Sequence, residues 1–346
     1  MTWSDILLPS REVPLGGVRG ITVHRTLPHR DLPTVGAWCF VDYFGPTNDG
    51  MRVLPHPHTG LQTVTWPLRG EIRHKDNLGN NIVLKPGELN LMTAGNGVSH
   101  SEFSLDGDPG PVQGLQLWVA LPEDRRHGEA AFESHTELPT IDLPHLRATV
   151  FMGALGDAVS PATTYSPMVG AELAARRGSS ELRVDPEFEH AVMVIQGTVR
   201  VNGFGLGRTQ MLYLRPGRSV ITITAESNAK LLLIGGEPFE EELVMWWNFI
   251  GRTHEEIAQA RADWAAGGAR FGTVSGHEGQ VIPAPEMPRV RLTPRRRRAM
   301  GDLAWRSFEI SDTVGISLRR EKHVAFHRQG RRRHRCRFGH WPRVVA

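Results

Sequence analysis

The feature of this sequence that most constrains its fold is an internal repeat. In each copy a strand-forming run ends on a Gly, a short strand with a basic end follows, and a Pro-Gly pair comes 17 residues after the first Gly in one copy and 20 in the other. Repetition at this scale predicts two copies of one small β-barrel. The copies are Arg69-Gly70-Glu71-Ile72-Arg73 with Leu84-Lys85-Pro86-Gly87, and Gln196-Gly197-Thr198-Val199-Arg200 with Leu214-Arg215-Pro216-Gly217.

The length and the turn residues of the chain fit two β-rich domains. Its 346 residues exceed the usual size of a single hydrophobic core, and 37 Gly with 24 Pro are many for a helical protein. The segment 76–80 (Asp-Asn-Leu-Gly-Asn) is rich in residues that tolerate positive φ, so it predicts a hairpin turn. Strand-forming runs recur between residues 18 and 240 and include 63–66, 81–84, 115–119, 191–195 and 220–224.

One segment late in the sequence has a helical pattern. It runs from Phe239 to about Ala266, and Thr253 followed three residues later by Glu256 forms a capping box. We expect Trp246 and Trp247 to pack this helix onto a barrel. The predicted fold is therefore all-β, with an N-terminal metal-binding barrel over 1–135, a C-terminal barrel over 136–290 that ends in the helix, and a disordered Arg-rich tail over 291–346.

Charge is distributed unevenly along the chain. Residues 291–346 hold 16 Lys and Arg and 4 acids, a net +12, which leaves −9 for the first 290 residues of a chain whose formal net charge is +3. The basic runs 295–298 and 331–335 could bind nucleic acid or another polyanion, but the acidic body argues against a folded nucleic-acid interface. The alternatives are a solubilising extension or a segment outside the barrel fold. In either case, removal of residues 295–346 is expected to leave the barrels folded.

The sequence also bears on the cellular compartment. It has no apolar run long enough to span a bilayer, and residues 1–6 lack the charged and apolar regions of a signal peptide. We therefore expect a cytoplasmic protein that does not associate with membranes. Cys39 and Cys336 lie far apart in different contexts, so the sequence supports neither a disulfide nor a thiolate metal site, and Cys39 is expected to be buried.

Two short motifs offer metal ligands. His56-Pro57-His58 places two imidazoles two residues apart, which on a strand point to the same face, and His100-Ser101-Glu102 does the same for an imidazole and a carboxylate. Three nitrogens and one anionic oxygen suit Fe(II), with Mn, Ni, Cu, Co or Zn as alternatives. Four protein ligands leave two octahedral positions open, which is typical of a catalytic site. The alternative is that these are ordinary surface or core histidines.

The second repeat lacks such a set. The positions equivalent to the four ligands are occupied by Arg183, Asp185, Lys230 and Leu232. Because these side chains do not form a comparable donor group, we expect one metal ion per chain and a C-terminal barrel without metal ligands.

Four motifs resemble those of the pirins, a branch of the cupin superfamily. The match is specific over about residues 15–125 and looser to about 265. The resemblance implies two tandem cupin (jelly-roll) β-barrels, of which the first binds iron through His56, His58, His100 and Glu102. The motifs are Asp-Tyr-Phe-Gly-Pro at 42–46, His-Pro-His-Thr-Gly-Leu-Gln-Thr-Val-Thr-Trp at 56–66, Met-Thr-Ala-Gly-Asn-Gly-Val-Ser-His-Ser-Glu at 92–102 and Gly-Leu-Gln-Leu-Trp-Val-Ala-Leu-Pro at 114–122.

Several residues near the expected ligands have more than one possible role. General cupins place a Glu ligand a few residues after the His pair, where this chain has Gln62, so Glu102 is the expected acidic ligand and Gln62 could hydrogen-bond to a ligand. Glu102 could also act as a general base if it leaves the metal. Trp66 could line the pocket or belong to the core. His74 and His190 are expected to be solvated or structural.

The resemblance implies two classes of function. One is a quercetinase-like dioxygenase, in which the metal chelates the 3-hydroxyl and 4-carbonyl oxygens of a flavonol and dioxygen cleaves the central ring with release of carbon monoxide. The other is a metal- or redox-dependent regulatory protein that binds a transcriptional or metabolic protein partner. A third hypothesis is a metal-free barrel that holds a small ligand. Metal analysis tests the third, whereas the sequence does not separate the first two.

Overall fold

The structure is a computed structural model that describes residues 5–14, 21–47, 50–105 and 111–297. The basic run 331–335, Cys336 and the rest of the predicted tail from residue 298 lie outside the described residues. Cys39 is fully buried, as expected. Within the described ranges the chain forms β-strands and one helix, α1 (His254–Ala265). Among these residues, the structure offers no helix with the length and apolar character that a bilayer span requires.

The N-terminal barrel is built from two antiparallel sheets, and the smaller sheet carries the predicted metal ligands. The larger sheet has seven strands, in the spatial order β12 (Ala131–His135), β9 (Leu89–Thr93), β6 (Leu61–Arg69), β11 (Val112–Ala120), β4 (Trp38–Thr47), β3 (Thr22–Leu27) and β2 (Arg11–Pro14). The smaller sheet has four strands, in the order β5 (Arg52–His58), β10 (Val98–Ser104), β7 (Ile72–Asp76) and β8 (Asn81–Leu84).

The C-terminal barrel also has a larger and a smaller antiparallel sheet. The order of the larger sheet is β1 (Ile6–Leu8), β21 (Met211–Leu214), β18 (Glu189–Gln196), β23 (Ala229–Gly236), β16 (Met168–Ala175), β14 (Leu146–Leu155) and β13 (Thr140–Leu143), with β15 (Ala158–Val159) paired to β14. The smaller sheet contains β17 (Gly178–Arg183), β22 (Val220–Ala225), β19 (Val199–Val201) and β20 (Phe204–Leu206). Since β1 pairs with β21, the first described strand extends the C-terminal barrel. The sequence positions of the domain boundaries remain a prediction.

The internal repeat corresponds to equivalent turns in the two barrels. Gly70 follows β6 with φ of 75°, and Gly197 follows β18 with φ of 89°. Gly87 and Gly217, the Pro-Gly glycines, have φ of 85° and 98°. Residues with a Cβ rarely adopt these angles, so each copy needs Gly at both turns. The predicted all-β architecture of two tandem barrels is confirmed.

The predicted strands and the hairpin turn are also confirmed. The five strand-forming runs lie in β6, β8, β11, β18 and β22. The segment 76–80 joins β7 to β8, and Gly79 has φ of 96°. The carboxylate of Asp76 accepts hydrogen bonds from the backbone N–H groups of Leu78 and Asn80 at 2.9 and 3.0 Å, which fixes the turn.

The predicted helix from Phe239 to about Ala266 was wrong in its first half. Residues before His254 form a small hairpin, β24 (Val244–Trp246) and β25 (Phe249–Gly251), and Trp247 at its turn has φ of 52°. An extended ribbon buries Val244 and Phe249 against the helix, and this burial outweighs the helical pattern of the sequence. The helix itself begins as predicted, because the Thr253 hydroxyl accepts a hydrogen bond from the backbone N–H of Glu256.

The aromatic residues of this hairpin pack on the helix, as expected. Trp246 and Trp247 lie against a buried cluster that includes Ile257 and Trp264 of α1 and Phe271 beyond it. The cluster holds the segment that follows the helix close to the N-terminal barrel, since the hydroxyl of Ser99 on β10 donates to the carbonyl of Phe271 at 2.7 Å.

The first residues of the predicted tail contact both barrels. Arg297 forms an ion pair with Glu189, which is fully buried at the start of β18. The Arg297 guanidinium also donates to the carbonyl of Thr34 at 3.1 Å, while Glu189 accepts from the backbone N–H of Gly36 and from the Tyr213 hydroxyl. Arg297 thus connects the loop before β4 with a strand of the C-terminal barrel.

Candidate metal centre

Three strands of the smaller N-terminal sheet bring the candidate ligands together. β5 and β10 are antiparallel, with His100 paired to His56 and Val98 paired to His58. Because residues two apart on a strand share a face, His56, His58 and His100 all point to one side of this sheet. Along its other edge, β10 pairs with β7, and this ladder places Glu102 opposite His74.

The three histidines form a compact group. Their ring centroids are 4.4 to 5.0 Å apart, and the Nε2 atoms of His58 and His100 are 3.1 Å apart. One potential ligand atom from each of the three lies within 4.8 Å of the other two. Two nitrogens about 2.05 Å from one ion lie roughly 2.9 Å apart at a right angle and roughly 3.4 Å apart at the tetrahedral angle. The Nε2 separation therefore fits two neighbouring ligands of one metal ion.

The hydrogen bond of His56 leaves one nitrogen available for a metal. Its Nδ1 lies 2.9 Å from the carbonyl oxygen of Leu54, which can only accept a hydrogen bond. Nδ1 therefore carries the proton and Nε2 keeps its lone pair. A hydrogen bond to the other ring nitrogen is the usual way in which proteins orient a metal-ligating histidine.

Burial keeps these imidazoles neutral. Desolvation lowers the pKa of His56 to about 4, and it lowers the pKa values of His58 and His100 well below the ordinary value, with further lowering by the neighbouring histidines. Neutral imidazole is the form that binds metal ions. A buried group of three uncharged nitrogen donors fits a divalent transition metal, so the histidine cluster can hold one.

Glu102 lies beside the cluster but groups with different partners. The ladder between β5 and β10 is irregular between His100 and Glu102, and the potential ligand atoms of Glu102, His100 and His74 lie within 4.8 Å of one another. The Thr65 hydroxyl donates to Glu102 Oε1 at 2.9 Å. Burial raises the pKa of Glu102. The structure thus places His100 in two potential ligand groups, and the role of Glu102 as the fourth ligand remains a prediction.

His74 and Asp76 adjoin the candidate ligands, a position that the sequence pattern did not predict for them. His74 is 2% exposed, so of the two expected roles, solvated or structural, the solvated one does not apply. His74 Nε2 lies 3.1 Å from Asp76 Oδ2, and His74 Nδ1 lies 3.4 Å from His100 Nδ1. Burial opposes the ionisation of Asp76, but hydrogen bonds from His74 and Asn80 outweigh it and lower its pKa.

These contacts define the tautomers of the site. An ionised Asp76 accepts the proton on His74 Nε2, so His74 Nδ1 has a lone pair for the proton on His100 Nδ1. His100 Nε2 is then the unprotonated nitrogen that faces His58. The signal in the sequence was the His74-x-Asp76 spacing on a strand that pairs with the one carrying His100, but only the pairing reveals it.

Two aromatic rings pack against histidines of the site. Trp118 on β11 contacts His58 edge-on, with centroids 5.3 Å apart, and Phe132 on β12 stacks on His74 at 4.7 Å. Apolar neighbours strengthen electrostatic interactions among the polar groups that they enclose.

Two residues considered for the site lie elsewhere. Trp66 is buried, stacks on Phe151 of the C-terminal barrel at 4.9 Å and donates to Glu172 at 2.8 Å, so the core interpretation is confirmed. Gln62, on the same face of β6, donates to the Thr93 hydroxyl and to the Thr163 carbonyl. Its amide nitrogen is engaged away from the histidines, while its buried side-chain oxygen has no partner among the described residues, so a hydrogen bond from a ligand to Gln62 remains a prediction.

The C-terminal barrel has a different interior. Its core is a large aliphatic cluster that includes Val192, Leu212 and Leu233. His190 is 1% exposed, so it is not solvated. Among the described residues, both groups of His and acidic side chains that could hold a metal lie in the N-terminal barrel.

Comparison with known proteins gives the family. The model described as pirin matches residues 20–119, and the model described as pirin C-terminal cupin domain matches residues 171–272. The chain belongs to the pirin family. In this pirin both barrels are cupins, as the resemblance in the sequence predicted.

Relatives of this pirin include proteins named after one enzyme. It is 42% identical over 284 residues to a putative quercetin 2,3-dioxygenase of Pseudomonas aeruginosa, which covers 81% of this chain and 89% of that one. A crystal structure of quercetin 2,3-dioxygenase from Acinetobacter baumannii is similar with a TM-score of 0.80 and 36% identity, covering 84% of this chain and 98% of that one. The bacterial pirin YhhW from Escherichia coli, solved in complex with nickel(II), has the same fold, with a TM-score of 0.55, 19% identity, and coverage of 68% and 100%.

Proposed function

We propose that this pirin is a mononuclear metal-dependent dioxygenase of the quercetinase type that cleaves flavonols. The observation that carries the proposal is the convergence of three buried, neutral imidazoles in a chain 42% identical to a putative quercetin 2,3-dioxygenase. The proposed ligands are His56, His58, His100 and Glu102. Fe(II) is the proposed metal, because the donor set is three nitrogens and one carboxylate oxygen.

The residues around the ligands support this chemistry. When bound, the metal would be chelated by the 3-hydroxyl and 4-carbonyl oxygens of the flavonol, and it would acidify the hydroxyl and activate dioxygen. Asp76 and His74 hold the His100 ring with Nε2 unprotonated, by the contacts described above. Trp118 packs against His58 and Phe132 against His74, which places apolar rings beside the polar groups of the site.

Glu102 is the proposed acceptor of the substrate proton. In the metal-free site burial raises the pKa of Glu102, so the carboxylate is a stronger base than an exposed Glu once it leaves the metal. The Thr65 hydroxyl donates to Glu102 Oε1, which leaves Glu102 Oε2 to bind a metal ion or accept a proton. Proton acceptance at Oε2 requires no movement of the Thr65 contact.

Oxygen uptake tests the proposal directly. The protein is reconstituted anaerobically with Fe(II), and in parallel with Mn, Ni, Cu, Co and Zn, and is then mixed with oxygenated buffer and a panel of flavonols. We expect oxygen consumption with equimolar release of carbon monoxide. A flavone without the 3-hydroxyl is the matched control, since it cannot form the chelate.

The outcome separates the two classes of function. Consumption that requires both the metal and the 3-hydroxyl supports the dioxygenase. Full metal occupancy without oxygen consumption for any metal or flavonol overturns it, and the regulatory alternative then becomes the working hypothesis.

A further inference from the structure

A cationic cleft lies on the outer face of the sheet that carries the histidines. The ladder aligns Arg52 of β5, Phe103 of β10 and Arg73 of β7 in one row across three strands. Lys75 is paired with Ser101 two rows further along the same ladder. Because neighbouring side chains on a strand alternate between faces, Arg73, Lys75 and Phe103 point away from His74 and the candidate metal centre. Arg52 shares their face because it is paired with Phe103, beyond the irregularity that separates it from His56 on β5.

The segment after the helix closes the cleft on its other side. His277 Nε2 lies 2.9 Å from the Ser101 hydroxyl, and the backbone N–H of Ile282 donates to the carbonyl of Pro55 at 2.8 Å. A Cβ on Gly276, where φ is 80°, would lie 3.0 Å from the Lys75 ammonium. The loop is thus fixed to the sheet at both ends of a half-open cleft of about 420 Å³.

The cationic side chains of the cleft have no ion-pair partner among the residues that the structure describes. Arg52, Arg73 and Lys75 form no ion pair with a described carboxylate, although Glu278 also lines the cleft. Arg73 donates to the side-chain oxygen of Asn81 at 3.2 Å, a neutral partner. Arg52 lies over the Phe103 ring, 5.9 Å from its centroid. Three like charges around one apolar floor repel one another, and a bound anion relieves that repulsion.

We propose that this cleft binds a small, multiply charged oxyanion such as a phosphate ester or a di- or tricarboxylate. Two guanidinium groups can each form paired hydrogen bonds to such an oxyanion, and the Lys75 ammonium adds a third charged donor. Adjacent strands are about 4.8 Å apart, so Arg52 and Arg73 stand roughly 10 Å apart across Phe103, a span that their long side chains can close around one anion. The site lies on the opposite face of the sheet from the metal cluster and is independent of the proposed dioxygenase activity.

Isothermal titration of the full-length, metal-loaded protein with inorganic phosphate tests the site. Sodium chloride keeps the ionic strength constant, so that non-specific screening is equal in all titrations. We expect Arg73→Gln, Lys75→Gln and the exposed Arg52→Gln each to raise the Kd about tenfold, since each removes a charged hydrogen-bond donor. Arg289→Gln, an exposed arginine outside the cleft, is the matched control and should leave the Kd unchanged.

The variants also separate this site from the basic tail. The tail is present in every variant, so any anion that it binds contributes equally to each titration. Citrate in place of phosphate distinguishes carboxylate from phosphate preference. If all three cleft variants bind both anions as tightly as Arg289→Gln, with unchanged thermal unfolding, the cleft does not bind oxyanions.

Discussion

The Nδ1 atoms of His74 and His100 lie 3.4 Å apart, and this contact connects a buried histidine outside the predicted ligand set to one inside it. Asp76 holds the far side of His74 at 3.1 Å. Asp76, His74 and His100 therefore form a chain of hydrogen bonds that ends at the candidate metal centre, here called the positioning series. Each member fixes which ring nitrogen of the next histidine carries the proton.

Removal of the Asp76 charge should weaken metal binding. Asp76→Asn keeps Oδ1 for the backbone N–H groups of Leu78 and Asn80 but loses the anionic acceptor of His74. We expect the metal Kd to rise about 10- to 100-fold, as is usual when a partner of a metal-ligating histidine is lost. Chelator competition measures the Kd, and the Co(II) absorption spectrum should shift because the His100 ring is reoriented. Asp124→Asn, at an exposed Asp, is the control, and an unchanged Co(II) spectrum in Asp76→Asn would remove Asp76 from the series.

Metal content should depend on the N-terminal barrel alone. We expect about one equivalent of metal per chain, and His56→Ala or His100→Ala should raise the Kd more than about hundredfold, beyond the effect of losing a supporting residue. Asp185→Ala, at a position equivalent to a ligand in the second repeat, should bind metal normally. Elemental analysis after dialysis gives the stoichiometry. Full metal content in both His variants would refute the assignment of the site.

The role of Glu102 can be separated into binding and catalysis. Glu102→Gln keeps the shape of the side chain but loses its charge, so divalent-metal affinity should fall while the three imidazoles remain. With saturating metal, the variant should still bind a flavonol, seen as an absorbance shift, but consume oxygen slowly because the proton acceptor is missing. Wild-type turnover at saturating metal would reject the base role. If Glu102→Gln also binds the metal with wild-type affinity, Glu102 is not a ligand.

The contacts of Arg297 change what is expected of a shortened chain. A protein that ends at Arg297 keeps the ion pair with the buried Glu189, whereas one that ends at Pro294 leaves that carboxylate without its cationic partner. We expect the shorter protein to lose on the order of 2 kcal/mol of unfolding free energy relative to the longer one, less than for a fully enclosed pair because Arg297 is partly exposed. Urea unfolding of both proteins measures the difference, and equal stability would show that the ion pair contributes nothing.

Acid should destabilise the fold partly through His190. Desolvation lowers its pKa to about 4 although Asp185 acts in the opposite direction. In the unfolded chain it titrates near 6.5, so between these values the unfolded state binds more protons and stability falls as pH falls. His190 should account for about 2 kcal/mol of the loss between pH 7 and pH 5. Urea unfolding at both pH values should show a smaller loss in His190→Gln, and the same loss as wild type in the control His127→Gln, at an exposed position.

Local pattern predicted most of the strands because their signals are short-range. The turn at 76–80 and the glycines Gly70 and Gly197 specify backbone angles that few other residues adopt. The helix was predicted too long because the pattern around Trp246 and Trp247 is compatible with either a helix or a strand. Burial against α1 and Phe271 selected the hairpin, and that energy comes from residues distant in sequence.

The sequence alone determined the two-barrel repeat and placed His56 with His58, and His100 with Glu102, on one face of their strands, because alternation along a strand is a local property. Tertiary structure decided which strands lie side by side. The pairing of β7 with β10 brings His74 and Asp76 to the histidines, and the stacking of Trp66 on Phe151 turns that face of β6 toward the C-terminal barrel. Strand pairing and the contact between barrels depend on burial and hydrogen bonding between residues that are distant in sequence. No local spacing of residues therefore predicts them.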